Sequence, residues 1–335
     1  MEGVERVSGA FWSGRGVLVT GATGLVGSWL CRALGDRGAR VIAFVRDMDP
    51  QSELIRSGRI QRTTVVNGRL EGADDVERAV VDHDVDSIFH LGAQTIVDTA
   101  IRSPRATLES NVAGTWNVLE AARLHPGLVE RVVVASSDKA YGTSDELPYH
   151  EGMPVRAGSP YDVSKACTDL VAQSYAFTYG TPAAIARCGN IYGGGDLNWS
   201  RIVPGTLRSL ALGEQPVLRS DGTYLRDYLY VDDVVDAYLQ LGESLPGEGA
   251  TGEAFNFSDE SPLTVWEIYR AVCRAAGAGD VEPVVLGRAA HEIHDQYLSA
   301  AKAREVLGWK CGHPLDDALA ETATWYRDFF ERSES

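Results

Sequence analysis

An α/β architecture with a doubly wound parallel sheet is the fold class this sequence predicts, on three observations. Apolar, β-branched runs alternate with helical patterns through the first two-thirds of the 335 residues. That alternation is the mark of parallel strands joined by crossover helices. Gly21, Gly24 and Gly27 close the first apolar run and open a helical stretch. The run Val132-Val133-Val134-Ala135 ends in Ser136, Ser137, Asp138 and Lys139, so polar chemistry emerges at the carboxyl end of a buried strand. In an open α/β sheet that end is where ligands bind.

Taken in order, the runs GVLVT, RVIAFV, RTTVVN, SIFHL, RVVVAS and AAIAR predict strands at 16–20, 40–45, 62–67, 87–91, 131–136 and 183–187. Helical stretches at 26–34, 73–82, 111–124 and 164–179 lie between them. After Cys188 the rhythm breaks. Residues 189–225 are rich in glycine and polar turn-formers, and 228–241 reads as one more strand and helix returning to the sheet. The tail gives a short strand at 253–257 and helices near 264–275, 300–307 and 315–332. The expected organisation is a Rossmann domain over 12–188 with 226–245 returning to it, and a smaller mixed α/β domain from 189–225 and 246–332.

A hydrophobic content of 44% and a charged content of 23% are those of a globular chain with a sizeable core. The formal net charge of -16 argues against nucleic acid or an anionic membrane as partner, because phosphate surfaces require excess Lys and Arg. An anionic ligand would need local cations. No stretch reaches the length of a membrane span, and the start MEGVERVSGAFW lacks the basic-then-apolar order of a signal peptide, so a cytoplasmic location is expected. Five dispersed cysteines with no CxxC pair indicate buried thiols, not a disulfide framework or a zinc site.

A GxxGxxG set between strand and helix gives a tight turn, lets a pyrophosphate approach N–H groups at the helix start, and lets helix pack closely on strand. Asp47 stands twenty residues past Gly27, at the end of the second strand. A carboxylate there binds the adenosine ribose hydroxyls and repels a 2′-phosphate, which favours NAD; its neighbour Arg46 would instead pair with such a phosphate. Tyr161 and Lys165, four apart on a helical pattern, share one face. An ammonium near a phenol stabilises the phenolate, so this tyrosine could serve as a base.

The glycine set, HLGAQ at 90–94, NVAGTWNVLEAA from Asn111, Ser137, Tyr161-x-x-x-Lys165, RDYLYVDD at 226–233 and LGW at 307–309 together resemble the extended short-chain dehydrogenase/reductase superfamily. That resemblance implies NAD in the larger domain, held by Gly21, Thr23, Gly24, Leu25, Gly27, Arg46 or Asp47, Leu70, Leu91, Ala93, Asn111, Tyr161 and Lys165. Where the superfamily usually reads adenine with an aspartate, this chain has Gly68-Arg69-Leu70, so Leu70 and backbone take that part. It also implies a nucleotide-diphosphate sugar beneath the smaller domain and a homodimer built on the helices at 111–124 and 164–179. Tyr161 would take the sugar hydroxyl proton, Lys165 would hold the nicotinamide ribose, and Ser137 would hydrogen-bond the reacting oxygen.

Within the superfamily, the opening FWSGRGVLVTGATGLVGSWL, SDK at 137–139, RCGNIYGGGD at 187–196 and RIVP at 201–204 are most similar to CDP-glucose 4,6-dehydratases. A dehydratase needs an acid for the leaving carbon 6 hydroxyl and help at carbon 5. By that resemblance Asp138 is the acid, and Lys139 is either a neutral base or a charge that stabilises the enolate. A solvated Asp-Lys pair closing a loop is the bland alternative. The motif RDYLYVDD is closer to epimerases, decarboxylases and TDP-glucose dehydratases than to the CDP-glucose group, which leaves the nucleotide base open, and a 4-epimerase is the second reading. Substrate contacts are expected from Gln94, Ser137, Asn190, Arg201, Arg219, Arg226 and Glu292, with Arg187 in the same modestly basic stretch and His291 beside Glu292. His90 is as well suited to packing as to cofactor contact, and Asp232 and Asp233 are expected to cap the following helix.

Overall fold

A computed structural model describes residues 11–247, 249–288 and 293–331. The first six strands are β1 Gly16–Thr20, β2 Arg40–Val45, β3 Thr64–Asn67, β4 Ser87–His90, β5 Arg131–Ala135 and β6 Ala183–Cys188. They form one parallel sheet in the order β6-β5-β4-β1-β2-β3, extended beyond β6 by the strand Ala254–Phe257. Alternate side chains feed two separate cores. Val17, Val19 and Val133 pack on one face with Trp12, Leu30 and Phe255, while Leu18, Val132 and Val134 pack on the other with Val76, Val118 and Ile185. Burial on both faces explains why these strands read as continuous apolar runs without polar alternation.

Two expectations about the later chain are corrected. The strand Tyr228–Tyr230 pairs with Asn190–Tyr192 in a two-stranded ladder and does not join the large sheet; only its helix, Val231–Glu243, packs back on β5 and β6. Ala254–Phe257, grouped by sequence with the smaller domain, instead completes the large sheet beside β6. Both assignments depend on which edge a short strand meets, and that is not a local property. A third core, apart from the two faces of the large sheet, gathers Tyr192, Val203, Leu207, Ile268, Leu319 and Tyr326. No helix among the described residues is long and apolar enough to cross a membrane.

The helix expected at 164–179 begins at Pro160, with Ser159 as N-cap accepting from the Asp162 N–H at 3.4 Å. Proline at the first helical position, after a capping serine, is a start signal that the apolar periodicity passed over. The helix expected from 111 is the second part of a longer rod. It begins at Pro104, passes through a π turn at Glu109–Ala113 and continues as Gly114–Leu124.

Asp233 does not cap its helix. Its buried carboxylate accepts from Gly312 N–H at 2.7 Å, lies 2.9 Å from His313 Nδ1 and is reached by the Cys311 thiol at 3.0 Å, tying the C-terminal segment to the helix. Burial opposes a charge on His313, but the hydrogen bond and charge of Asp233, with Asp232 and Glu321, hold its pKa above the ordinary value. A raised folded pKa contributes stability that is complete below the unfolded value near about 6.5 and is lost as pH rises through the folded value. Urea denaturation is therefore expected to show stability falling as pH rises above about 6.5, with the slope reduced in His313→Asn. Equal slopes in the two proteins would remove His313 as its source.

Candidate active site

The strand order reverses between β1 and β4, which run side by side to Thr20 and His90, and at such a switch point the crevice for a ligand lies outside the carboxyl ends of the strands. Gly21 ends β1 with φ +67°, and a side chain there would start 2.8 Å from Gly92 N. At Gly27 a side chain would start 2.1 Å from Gly21 O, so neither position admits a larger residue without backbone movement. Gly24 begins the helix Leu25–Asp36, whose first turn has no acidic residue and no side-chain cap. Those uncapped N–H groups fit an anion such as a pyrophosphate. Thr23 and Leu25 flank Gly24 in a half-buried turn. Arg46 and Asp47 follow β2 in the open, paired at 2.6 Å. The residues present therefore fit a dinucleotide at this crevice.

The β4 side of the crevice is held by hydrogen bonds. Thr20 Oγ1 accepts from the Leu91 and Gly92 N–H groups at 3.1 and 3.0 Å and meets His90 Nδ1 at 2.9 Å. His90 Nε2 meets Thr115 Oγ1 at 3.0 Å. Burial, then the charge of Lys165, push the His90 pKa down to about 3, so the ring is a neutral packing residue. Leu70 stands over the same loop, its side chain 2.6 Å from where a Cβ on Gly92 would lie. Ala93 is half-buried beside it.

Three sequence expectations are redrawn by this geometry. Asn111 is buried, accepts from Gln94 N–H at 2.7 Å, and donates to Gln94 O and Ser164 Oγ at 3.0 and 2.8 Å. It braces the loop after β4 against the Tyr161 helix, and its amide has no donor left for a cofactor. The Gln94 side chain closes its own turn, donating to Ile96 O at 2.9 Å and accepting from Ile96 N–H at 2.5 Å. Arg187 is buried in a two-pronged pair with Asp169, Nε to Oδ2 at 2.7 Å and Nη2 to Oδ1 at 2.9 Å, and donates to Tyr141 Oη at 2.7 Å. It is a structural cation and not a ligand for a sugar nucleotide.

At the end of β5 the polar residues of the sequence motif turn inward. Ser137 Oγ donates to Asp138 Oδ1 at 2.8 Å and accepts from Lys139 N–H at 3.3 Å, capping a single turn at Asp138–Tyr141. Asp138 is only 3% exposed. Burial raises its pKa against the opposing effects of Lys139, Ser137 and Arg226. This excludes the solvated-pair alternative for Asp138. Lys139 is half-buried and donates from Nζ to Gln296 Oε1 at 3.2 Å.

Tyr161 and Lys165 are both buried on one helix face. Lys165 Nζ donates to Ala135 O at 2.7 Å, at the end of β5, and burial, opposed by Cys188 and Asp169, lowers its pKa to about 8. Burial also raises the Tyr161 phenol, and the opposing positive charge is that of Arg201, with Asp138 and Asp162 adding to the rise. The sequence assigned that electrostatic help to Lys165, whose ammonium is turned to the backbone here. Arg201 comes from the start of the helix Ile202–Ala211 and pairs with Asp196 at 3.0 Å.

The remaining expected contacts among the described residues each have a partner of their own. Arg226 is buried and donates to the carbonyls of Leu225 at 2.8 Å, His294 at 2.6 Å and Ile293. Asn190 is tied through its N–H to Asp227 O at 3.1 Å. Arg219 meets Asp98 at 3.4 Å with half or more of each side chain exposed. His291 and Glu292 lie outside the described residues. Sequence reasoning missed Asp227 and Gln296. Asp227 is buried, its Oδ2 accepts from Ser258 Oγ and Leu298 N–H at 2.8 and 2.7 Å, and burial raises its pKa to about 7. A side chain at Gly189 would start 2.9 Å from Asp227 Cβ and 3.8 Å from Asp138 Oδ2, so both acids flank one glycine. The doublet Arg226-Asp227 offered a signal for Asp227; no local pattern marked Gln296.

Comparison with known proteins adds to this geometry. The NAD dependent epimerase/dehydratase family matches residues 17–257. The chain is 30% identical to a CDP-glucose 4,6-dehydratase of Salmonella typhimurium, over 95% of this chain and 92% of the relative. Among solved structures, a UDP-glucose 4-epimerase from Thermotoga maritima with UDP-glucose superposes with a TM-score of 0.85 at 26% identity, over 94% of this chain and 99% of that one. A dTDP-glucose 4,6-dehydratase from Streptomyces venezuelae with NAD bound gives 0.82 at 29%, over 93% and 97%.

Proposed function

The chain belongs to the NAD dependent epimerase/dehydratase family, and on that premise we propose that this nucleotide-sugar-modifying enzyme is a nucleotide-sugar 4,6-dehydratase. The substrate class is an NDP-glucose, with CDP-glucose as first choice, and the product is a 4-keto-6-deoxy sugar. The carrying observation is Asp138. It is a buried carboxyl with a raised pKa between Ser137 and Lys139, and such a group can hold a proton for a leaving hydroxyl.

NAD, held by the turn Gly21 to Gly27 and by Asp47, would accept a hydride from the sugar and return it. Tyr161 takes the proton of the carbon 4 hydroxyl as its phenolate, a form that the Arg201 charge favours against the burial that raises the phenol. The ketone so formed acidifies the carbon 5 proton. As that proton leaves, assisted by Lys139 as base or as cation, Asp138 protonates the carbon 6 hydroxyl, which departs as water. A proton then returns to carbon 5 while carbon 6 regains the hydride that carbon 4 gave up, so the sugar has lost one water with no net oxidation.

A second reading, a 4-epimerase, is favoured by the motif RDYLYVDD and by the likeness to the Thermotoga enzyme. Turnover of CDP-, TDP-, UDP- and GDP-hexoses in deuterated water separates the two. The dehydratase gives a 4-keto-6-deoxy sugar carrying deuterium at carbon 5. A carbon 4 epimer with carbon 5 unlabelled would sink the dehydratase reading.

A homodimer is part of the same proposal. The helices Gly114–Leu124 and Pro160–Tyr179 leave Trp116, Leu124, Leu170 and Phe177 exposed, Phe177 at 94%, and Leu170 and Phe177 are seven residues apart on one face. A second copy presenting the same helices would cover them. Sedimentation equilibrium should give a dimer for the wild type and a monomer for the double variant Leu170→Glu, Phe177→Glu. A wild-type monomer at micromolar concentration refutes it.

A further inference from the structure

We infer that Gln296, on a strand of the smaller domain, is a positioning residue that fixes the Lys139 ammonium beside Asp138. This rests on the dehydratase reading for its chemical meaning but not for its geometry. Gln296 lies 157 positions from Lys139 in sequence, and its Oε1 is the acceptor that the structure gives to Lys139 Nζ, at 3.2 Å. An ammonium has only donors to offer, so the amide oxygen must face Lys139. That choice leaves the amide nitrogen pointing elsewhere. Gln296 Nε2 is fully buried with no hydrogen-bond partner among the described residues. The side chain as a whole is 0% exposed. A buried, unmet N–H is unfavourable, so what holds this amide in place is packing together with its bond to Lys139.

The backbone around Gln296 explains why it can serve as a fixed point. Its strand, Asp295–Gln296, pairs in parallel with Leu225–Arg226, register Gln296 to Arg226. Two residues on, Leu298 N–H donates to the buried carboxylate of Asp227, which shares the space around Gly189 with Asp138. Gln296 therefore belongs to the same buried layer as both acids. The positive charge it restrains is felt by Asp138 and by Asp162, next to Tyr161. Without the amide acceptor the flexible four-carbon stem of Lys139 can swing toward either carboxyl or toward water. In the reaction proposed above, Lys139 would then no longer be held where carbon 5 loses its proton.

The test uses the NAD-loaded full chain and two variants, Gln296→Leu and Gln296→Glu, the second retaining an acceptor for Lys139. The first measurement is competitive acetylation of Lys139 Nζ, read by mass spectrometry against Lys302 and Lys310 as internal references. Gln296→Leu should change the relative labelling rate of Lys139 by about threefold or more, the effect of losing one hydrogen bond. Gln296→Glu should restore it toward the wild-type rate. The second measurement is steady-state turnover, where Gln296→Leu should lower kcat about tenfold with KM changed less than about twofold, and Gln296→Glu should recover part of the loss.

Unchanged Lys139 labelling in folded Gln296→Leu overturns the inference, whatever the turnover shows. So does a loss of kcat and KM together that the glutamate variant does not relieve, since that is the result of a merely structural role. If labelling responds as expected but the wild type forms no keto sugar from any hexose nucleotide, the positioning contact stands and the dehydratase reading falls.

Discussion

Asp138→Asn is expected to slow loss of water by about 10²- to 10⁴-fold, the range by which a positioned general acid accelerates a reaction. Asparagine keeps the shape of the side chain and an oxygen to accept from Ser137 Oγ, so the turn Asp138–Tyr141 and its buried packing should survive. What disappears is the transferable proton. Tyr161 and Lys165 are untouched, so oxidation at carbon 4 and loss of the carbon 5 proton can still occur. The expected signature in deuterated water is recovered substrate that carries deuterium at carbon 5 with little keto sugar formed.

The wild-type pH profile has a defined sign. Burial holds the Asp138 pKa above the ordinary carboxylate range, so the protonated acid is present below the raised value and is lost as pH rises through it. That descending limb should be missing from Asp138→Asn. Wild-type turnover in the variant would remove Asp138 from the chemistry.

Arg187→Met is expected to cost about 3–5 kcal/mol of stability, the usual result of removing one partner from a fully buried ion pair. Asp169, fully buried, would keep a carboxylate with both guanidinium contacts gone, and the Tyr141 hydroxyl would lose a donor. The damage should reach the site. Asp169 lies one turn beyond Lys165 on the Tyr161 helix, and Tyr141 ends the turn that begins at Asp138. Removing both charges in Arg187→Met, Asp169→Leu should recover most of the loss, because an apolar pair leaves no stranded charge. Urea denaturation of the three proteins checks this, and a single variant within about 1 kcal/mol of wild type would refute it.

What was legible in the sequence and what was not differ in range. The strand–helix rhythm, the glycine turn and the Tyr161–Lys165 pair are set by spacings of one to a few residues, and they were legible although two helices begin earlier than their patterns put them. The partners of Asn111, Gln94 and Arg187 were not legible because residue type alone does not reveal a partner. Asn111 is occupied by Gln94 and Ser164, and Arg187 by Asp169 and Tyr141. The positive charge that opposes the effect of burial on Tyr161 is that of Arg201, forty residues later, and no local pattern linked the two.

The sequence by itself determined the first six strands and the glycine turn after β1, since period, β-branching and glycine geometry act over a few bonds. It also determined which acid follows β5. Only the tertiary structure decided that Asp138 is out of water, that Asp227 faces the same glycine, and that Lys139 is held by Gln296. Burial and charge interact through space, and chains far apart in sequence must meet before a carboxyl is desolvated or an ammonium finds its acceptor.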